Sequence, residues 1–399
     1  MQRADYRISR AERHHRLARR DAERRAARAE QGALRRVAGA ARRRAGLAVQ
    51  HSKLWLGYQV RRGFAETRQL VDRLRTPRPT GVSQPEDGEG FLVVGHRGSA
   101  VKRVENTIES CAYALEHDLA NAVEIDLSLT KDGHVVLWHD WNPNDSVALV
   151  RQLGIEPNVK YAPRVPPVWS DWRRMAHELT LAELREHCGY QTRFLFFFRR
   201  RARVQIPTFR EFLDWAKGQP RLRAVFLDIK LPTEHIDLAP KLTRAMCSDL
   251  EAAQPKFDPV FMTTRESVFQ AMRPLASKYP FSFDVEVPPG IVRDTRPYSG
   301  TAAAISHGNT YASIGRPALT LGAWSIYQEI IARDVDLRRA HNAQSDDANG
   351  GTKVRRLISW TINKRGEKKR LLELGVQGIL TDQPRRLERL ARRFGRKLA

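Results

Sequence analysis

From Phe91 onward, short apolar runs alternate with helical stretches, and this alternation restricts the folds open to the chain more than any other feature. Strand candidates fall at 91–94, 122–129, 134–138, 224–229, 260–263, 281–287, 318–323, 357–361 and 378–381. Helical patterns at about 107–117, 208–217, 236–253, 265–277, 325–340, 364–374 and 384–395 lie between or after them. Strands that are apolar on both faces argue for a parallel sheet covered by helices. About eight such units over roughly 300 residues favour an α/β fold closed as a (β/α)8 TIM barrel over an open sheet. Lys131-Asp132-Gly133 reads as a hairpin turn between the second and third runs. The stretch 140–205 is too long for a simple crossover. It is proline-interrupted and ends in the Arg-rich 194–203, so we expect an inserted lid or subdomain.

The net charge of +24 suggests a nucleic-acid partner until it is located. Residues 1–76 hold 21 Arg and Lys against seven Asp and Glu, and residues 384–399 hold seven against one. The remaining 307 residues are nearly balanced, so the basicity belongs to the ends rather than to the part with the periodic pattern. We read 1–76 as a basic Arg/Ala-rich helical extension, 77–90 as a linker rich in Pro, Gly and acidic residues, and 91–399 as the barrel domain. Within the extension, Leu54, Trp55, Tyr58, Phe64, Leu70, Val71 and Leu74 recur among arginines as a basic amphipathic segment. It suits docking on the barrel or on an anionic membrane surface. Cys111, Cys188 and Cys247 are widely spaced, which argues for buried thiols and a reducing, cytoplasmic setting. No secretory signal and no apolar run near the ~20 residues of a spanning helix is visible.

The side chains that carry chemistry stand where the strand candidates end. His96 and Arg97 follow the first. Glu124 and Asp126, two apart on the second, share one face. His139 follows the third, Asp228 and Lys230 repeat the two-apart spacing on 224–229, and Thr381 and Asp382 end the last. In a barrel of this type, strand C-termini form the mouth where reactions occur. The inventory suits phosphate-ester cleavage. It offers two imidazoles for acid and base work, a cation for phosphate oxygens, and carboxylates to hold a divalent metal. Plainer readings stand beside these: Asn106 as the cap of the helix starting near Thr107, Asp228 as a salt-bridge partner of Lys230, and Trp360 as core. Asp284 and Glu286 share the two-apart spacing and are further carboxylate candidates.

Taken in order, these motifs resemble the glycerophosphodiester phosphodiesterase family from about residue 91 to 384, with 140–205 matching poorly. The resemblance rests on His96-Arg97-Gly98, Glu105-Asn106-Thr107, Glu124-Ile125-Asp126, Thr130 to Gly133 followed by His139-Asp140, Asp228-Ile229-Lys230, Trp360-Thr361-Ile362-Asn363 and Thr381-Asp382-Gln383-Pro384. It implies a TIM barrel, one divalent metal ion (Mg2+ or Ca2+), and hydrolysis of glycerophosphodiesters to glycerol 3-phosphate and an alcohol. By the same resemblance the metal falls to Glu124, Asp126 and Asp228, and the acid–base pair to His96 and His139. Arg97 and Lys230 would face the phosphoryl group, and Trp360 the glycerol or head-group carbons. Glu105 and Asn106 would orient these groups from behind. Three positions depart from the family pattern: Val104 replaces a common Pro, Asn121 a common Gly, and Asp228 the usual Glu. The last shortens one metal-binding arm.

We therefore expect a metal-dependent phosphodiesterase acting on a small glycerophosphodiester. A lysophospholipase D-like or cyclising phosphodiesterase on the same fold is the nearest alternative. A non-catalytic protein binding anionic lipid or nucleic acid is a third. Nucleic acid is disfavoured, because the basic ends lack an aromatic-interleaved RNA-binding motif and any recognised DNA-reading module. The setting expected is cytoplasmic, with the basic extension drawing the enzyme to anionic membranes.

Overall fold

Eight strands alternate between two apolar environments and form one closed sheet. They are β1 (Leu92–Gly95), β2 (Ala122–Leu129), β6 (Ala224–Ile229), β7 (Asp258–Thr263), β8 (Phe281–Val285), β9 (Tyr311–Gly315), β10 (Arg356–Trp360) and β11 (Gly378–Thr381). Every neighbouring pair is parallel, and β1 pairs with both β11 and β2, so the sheet is a closed barrel. Three further strands complete the numbering: β3 (Val135–Leu137), β4 (Tyr161–Arg164) and β5 (Gly189–Thr192). The computed structural model describes residues 89–399 apart from 155, 157–158, 193–199, 289, 291, 293, 318–321 and 346–350. The expected basic extension 1–76 and all but the last two residues of the linker 77–90 lie outside the described residues.

Inside the barrel lie Leu92, Val94, Ala122, Ala224, Phe226, Val260, Met262, Tyr311, Ile358 and Leu380. The intervening residues, such as Val93, Val123, Ile125, Val225 and Leu227, face outward and join the larger core beneath the helices. Period-two alternation with both faces apolar is what a parallel sheet under helices requires. The covering helices are α1 (Ile108–Glu116), α4 (Phe209–Ala216), α5 (Ala239–Ala253), α6 (Glu266–Met272), α7 (Gly300–His307), α8 (Ala323–Gln344), α9 (Arg365–Leu374) and α10 (Pro384–Arg393). The insertion supplies α2 (Ser146–Gln152) and α3 (Leu181–His187).

The turn at Lys131–Gly133 does reverse the chain, and β3 runs antiparallel to β2. The strand expected at 318–323 is corrected. Ala323 begins α8, and 318–321 lie outside the described residues. The barrel strand of this stretch is β9, preceded by α7, which the sequence reading also missed. Tyr-Ala-Ser-Ile-Gly has one β-branched residue and too little bulk to read as a strand. Its small residues are needed because an added Cβ at Gly315 would lie 2.8 Å from the Trp360 indole.

The described part of the 140–205 insertion gathers on its own apolar cluster. Ala176, Leu179, Leu184 and Tyr190 pack with Val104, Val136 and Trp138 of the barrel side, and β4 pairs antiparallel with β5. All three cysteines are buried free thiols. No described helix is long and apolar enough to cross a membrane.

Candidate active site

The site grows from the pleat of β2 and β6. Ala122 faces the barrel interior, so Glu124 and Asp126 face it too, two and four residues on. The register pairs Asp126 with Asp228, which sets their carboxylates side by side at the strand C-termini. Ligand oxygens of Glu124, Asp126 and Asp228 lie within 4.8 Å of one another. Burial, and then the neighbouring carboxylates of Asp126 and Asp228, raises the Glu124 carboxyl well above its ordinary range. Glu124 Oε1 is buried with no hydrogen-bond donor. Three crowded oxygen donors and an unsatisfied lone pair are the attributes of a hard-cation site, and they fit a divalent ion such as Mg2+ or Ca2+. Lys230 Nζ reaches into the same cluster, 2.9 Å from Asp126 Oδ1 and bonded to Asp228. The salt-bridge reading of Asp228 and the metal reading therefore describe one position. The ammonium answers one of the three carboxylate charges, and a divalent ion would answer the other two.

The turn after β1 aims the first histidine. Gly98 is left-handed (φ 81°), and a Cβ there would meet Ser110 backbone at 2.6 Å. Arg97 is also left-handed (φ 52°), an uncommon state for a side-chain-bearing residue. Its backbone N–H donates to Glu124 Oε2 at 2.8 Å. Its guanidinium sits among Asp126 (Nε to Oδ2, 2.9 Å), Glu105 (Nη1 to Oε2, 3.0 Å) and Glu156 (Nη1 to Oε1, 2.9 Å). Arg97 is thus buried behind the carboxylates and tied to several of them.

Asn106 is left-handed as well (φ 52°) and does not cap the helix. Thr107 does, accepting from Ser110 N. Asn106 instead grips Asp126 twice. Its Nδ2 donates to Oδ2 at 2.7 Å, and its Oδ1 accepts the Asp126 N–H at 3.0 Å. Burial opposes ionisation of Asp126, yet Lys230 and Arg97 hold its carboxyl well below the ordinary range.

Each histidine is backed by a carboxylate. His96 Nδ1 lies 2.6 Å from Asp382 Oδ1, and Asn363 bonds the other Asp382 oxygen while accepting the Asp382 N–H at 2.9 Å. His96 Nε2 stands 4.0 Å from Glu124 Oε2, so the imidazole edge faces the acidic cluster. His139 Nδ1 lies 2.7 Å from Asp140 Oδ1. Burial, and then the Arg151 charge, lowers the His139 pKa well below its ordinary value, so this ring is neutral at physiological pH. Asp140 is pushed up to about 6, by burial against the pull of Arg151.

Arg151 is the residue that sequence reasoning missed. It lies on α2 inside the insertion, is 3% exposed, and bonds Asp140 Oδ1 (2.8 Å), Glu156 Oε2 (2.7 Å) and Glu105 Oε1. Glu105 therefore bridges two guanidiniums, one behind each half of the site. Arg151 and Glu156 lie outside every recognisable motif; only the inward face of α2 could have signalled Arg151, and Glu156 lies in the bend after that helix. Asp382 and Asn363 lay inside motifs but were given no part in aligning His96.

Trp360 is half-buried at the end of β10, over Gly315 and against the interior cluster, and its indole Nε1 has no acceptor. Asp284 is buried on the inner face of β8, where burial and then Asp228 raise its pKa well above the ordinary range. Glu286 is exposed, and the crowded carboxylate trio includes neither residue.

A profile of the glycerophosphoryl diester phosphodiesterase family matches residues 96–386, nearly three quarters of the chain. A glycerophosphodiester phosphodiesterase of Caldanaerobacter subterraneus subsp. tengcongensis is 47% identical over 49 residues, 12% of this chain and 20% of that protein. The match thus spans about a fifth of that curated relative. Among solved structures, a candidate glycerophosphoryl diester phosphodiesterase of Silicibacter pomeroyi aligns with a TM-score of 0.58 at 20% identity, covering 80% of this chain and 98% of that one. A glycerophosphodiester phosphodiesterase of Parabacteroides distasonis aligns at 0.50 with 15% identity, covering 77% and 99%. At these identities the structural likenesses speak for the fold.

Proposed function

This chain belongs to the glycerophosphoryl diester phosphodiesterase family, and from that premise we propose that it is a metal-dependent hydrolase converting glycerophosphodiesters to glycerol 3-phosphate and an alcohol. The observation that carries the reading is the pairing of two carboxylate-backed imidazoles around the Glu124, Asp126 and Asp228 cluster. Those three residues would hold Mg2+ or Ca2+, which when bound neutralises phosphodiester charge and acts as a Lewis acid.

The residues of the chain divide the remaining work. His139 is neutral, and its Nδ1–H is directed at Asp140, so Nε2 presents a lone pair and serves as the general base. His96 donates Nδ1–H to Asp382, whose carboxyl is kept ionised by His96 and Arg97 in spite of its burial. Aligned by that carboxylate and with Nε2 facing the acidic cluster, His96 serves as the acid that protonates the leaving alkoxide. Lys230 supplies fixed positive charge at the phosphoryl group. Arg97 does so from behind the carboxylates and aligns Glu124 and Asp126. Trp360 offers an apolar wall for the glycerol or head-group carbons.

Release of glycerol 3-phosphate from glycerophosphocholine and glycerophosphoethanolamine, with Mg2+, Ca2+, Mn2+ or EDTA, tests the proposal. We expect metal-dependent release that is lost in His96→Ala. Absence of release from these substrates and from a lysophospholipid panel, under every metal, would sink it. A cyclic phosphate product would move the chain to the cyclising alternative on the same fold. We further propose that the basic residues 1–76 bring a cytoplasmic enzyme to anionic membrane surfaces, on the strength of their charge and amphipathic pattern.

A further inference from the structure

We propose that the barrel carries a second small-molecule site, for a ligand bearing a phosphate or carboxylate, on the face opposite the catalytic mouth. A cavity of about 310 Å³ opens there among the beginnings of β7, β8, β9 and β10. That volume is at the lower end of the range for small-molecule pockets.

The lining is rich in hydrogen-bond donors that have nothing to donate to. Asn309 is 1% exposed, and its Oδ1 accepts from Arg273 Nη1. This contact sets the amide orientation, because a flipped amide would turn its N–H groups toward the guanidinium. Asn309 Nδ2 is then a buried donor with no acceptor, and Thr310 Oγ1 is likewise buried and unpartnered. Buried donors without acceptors are costly, so a position holding two of them beside a cation favours an acceptor-rich guest.

The cation is Arg273. Its other contacts are the Gly308 carbonyl at 3.3 Å and the faces of the Phe281 and Phe269 rings, 5.1 and 6.0 Å from their centroids. Among the described residues no carboxylate pairs with it, and burial alone shifts its pKa, downward. The other charges of the lining are already matched. Asp258 is taken up by Arg355 Nη1 (3.0 Å) and Tyr311 Oη (2.6 Å), and Lys278 by Glu251. What is left unmet is the charge of one guanidinium, the N–H group of one amide and one hydroxyl. This set suits an oxyanion, which accepts several hydrogen bonds and carries the opposite charge.

Isothermal titration of inorganic phosphate and of acetate into the full chain, in EDTA, decides the matter. We expect one equivalent of at least one anion to bind, and the anion that binds identifies the phosphate or carboxylate class. Arg273→Gln should weaken binding at least tenfold. Thr310→Val, a near-isosteric change that keeps the fold if Arg273→Gln does not, should weaken it severalfold. Lys230→Gln, at the opposite face, should bind as wild type does. Binding lost in Lys230→Gln but retained in Arg273→Gln and Thr310→Val would overturn the proposal. So would the absence of binding by either anion, which would mean that the orphan donors are met by water.

Discussion

At Asp140 two donors compete for one carboxylate oxygen, His139 Nδ1 at 2.7 Å and Arg151 Nε at 2.8 Å. The carboxyl is pushed up to about 6 by burial, so it is ionised above that pH and protonated below it. Once protonated it no longer serves as the anion that fixes the His139 tautomer. We therefore expect kcat/KM to rise with pH through about 6 and then level off. Arg151 holds down both the Asp140 and the His139 pKa. In Arg151→Gln both rise, and the acid limb should move to higher pH, a shift that a purely structural role would not produce. Removing either imaginable proton carrier is more drastic. His96→Ala or His139→Ala should lower kcat by about 10²–10⁴ without changing the unfolding midpoint by much. The carboxylate trio gives a separate readout. Saturating Mg2+ or Ca2+ should raise Tm of the wild type, because it relieves repulsion among Glu124, Asp126 and Asp228. Glu124→Gln should lose most of that rise.

At the scale of elements, the outcome depends on which residues share a face. Gly315 on β9 is cut away so that the Trp360 indole of β10 lies across it. Gly315→Ala should displace the indole, at a cost of about 1–3 kcal/mol, and alter its fluorescence and the KM together. The helix α2 answers for the other side. Arg151→Gln leaves Asp140 without its paired cation and Glu105 and Glu156 with Arg97 alone, and should cost about 3–5 kcal/mol in urea unfolding. These two elements also mark where sequence reading stopped. β2 and β6 were legible because their alternation is regular, and on β2 it puts Glu124 and Asp126 on one face; Asp228 joined them through the family resemblance, and the register of β2 with β6 is what sets it beside Asp126. β9 was not, because its residues were chosen for a close approach that only the neighbouring strand explains. Arg151 was not, because a seven-residue helix inside a proline-rich insertion has no period long enough to reveal which side is buried. The histidines were visible as ring-bearing residues at strand ends. Their carboxylate partners Asp382 and Asp140 were visible as letters in motifs, without the distances that make them partners.

The whole molecule separates charge from chemistry. Residues 1–76 carry 14 of the 24 net positive charges, and 91–399 hold the carboxylate-lined mouth. If the extension attracts the enzyme to membranes, the full chain should bind phosphatidylserine vesicles and lose them as salt rises, whereas a chain starting at residue 77 should not bind. Equal binding by both would end that idea. The point where the extension joins the barrel is itself well held. Arg355 Nε bonds the Glu89 carboxylate at 2.6 Å, and Arg356 bonds the Glu89 and Gly90 carbonyls. Phe91 N–H donates to the Lys397 carbonyl at 2.7 Å. All of these contacts lie where the strands begin. Residues 89–91 are therefore clasped at the foot of the barrel by the first residue of β10, by the arginine before it and by Lys397 near the C-terminus. The staves that meet at β1 are hooped at their base, before the first of them begins.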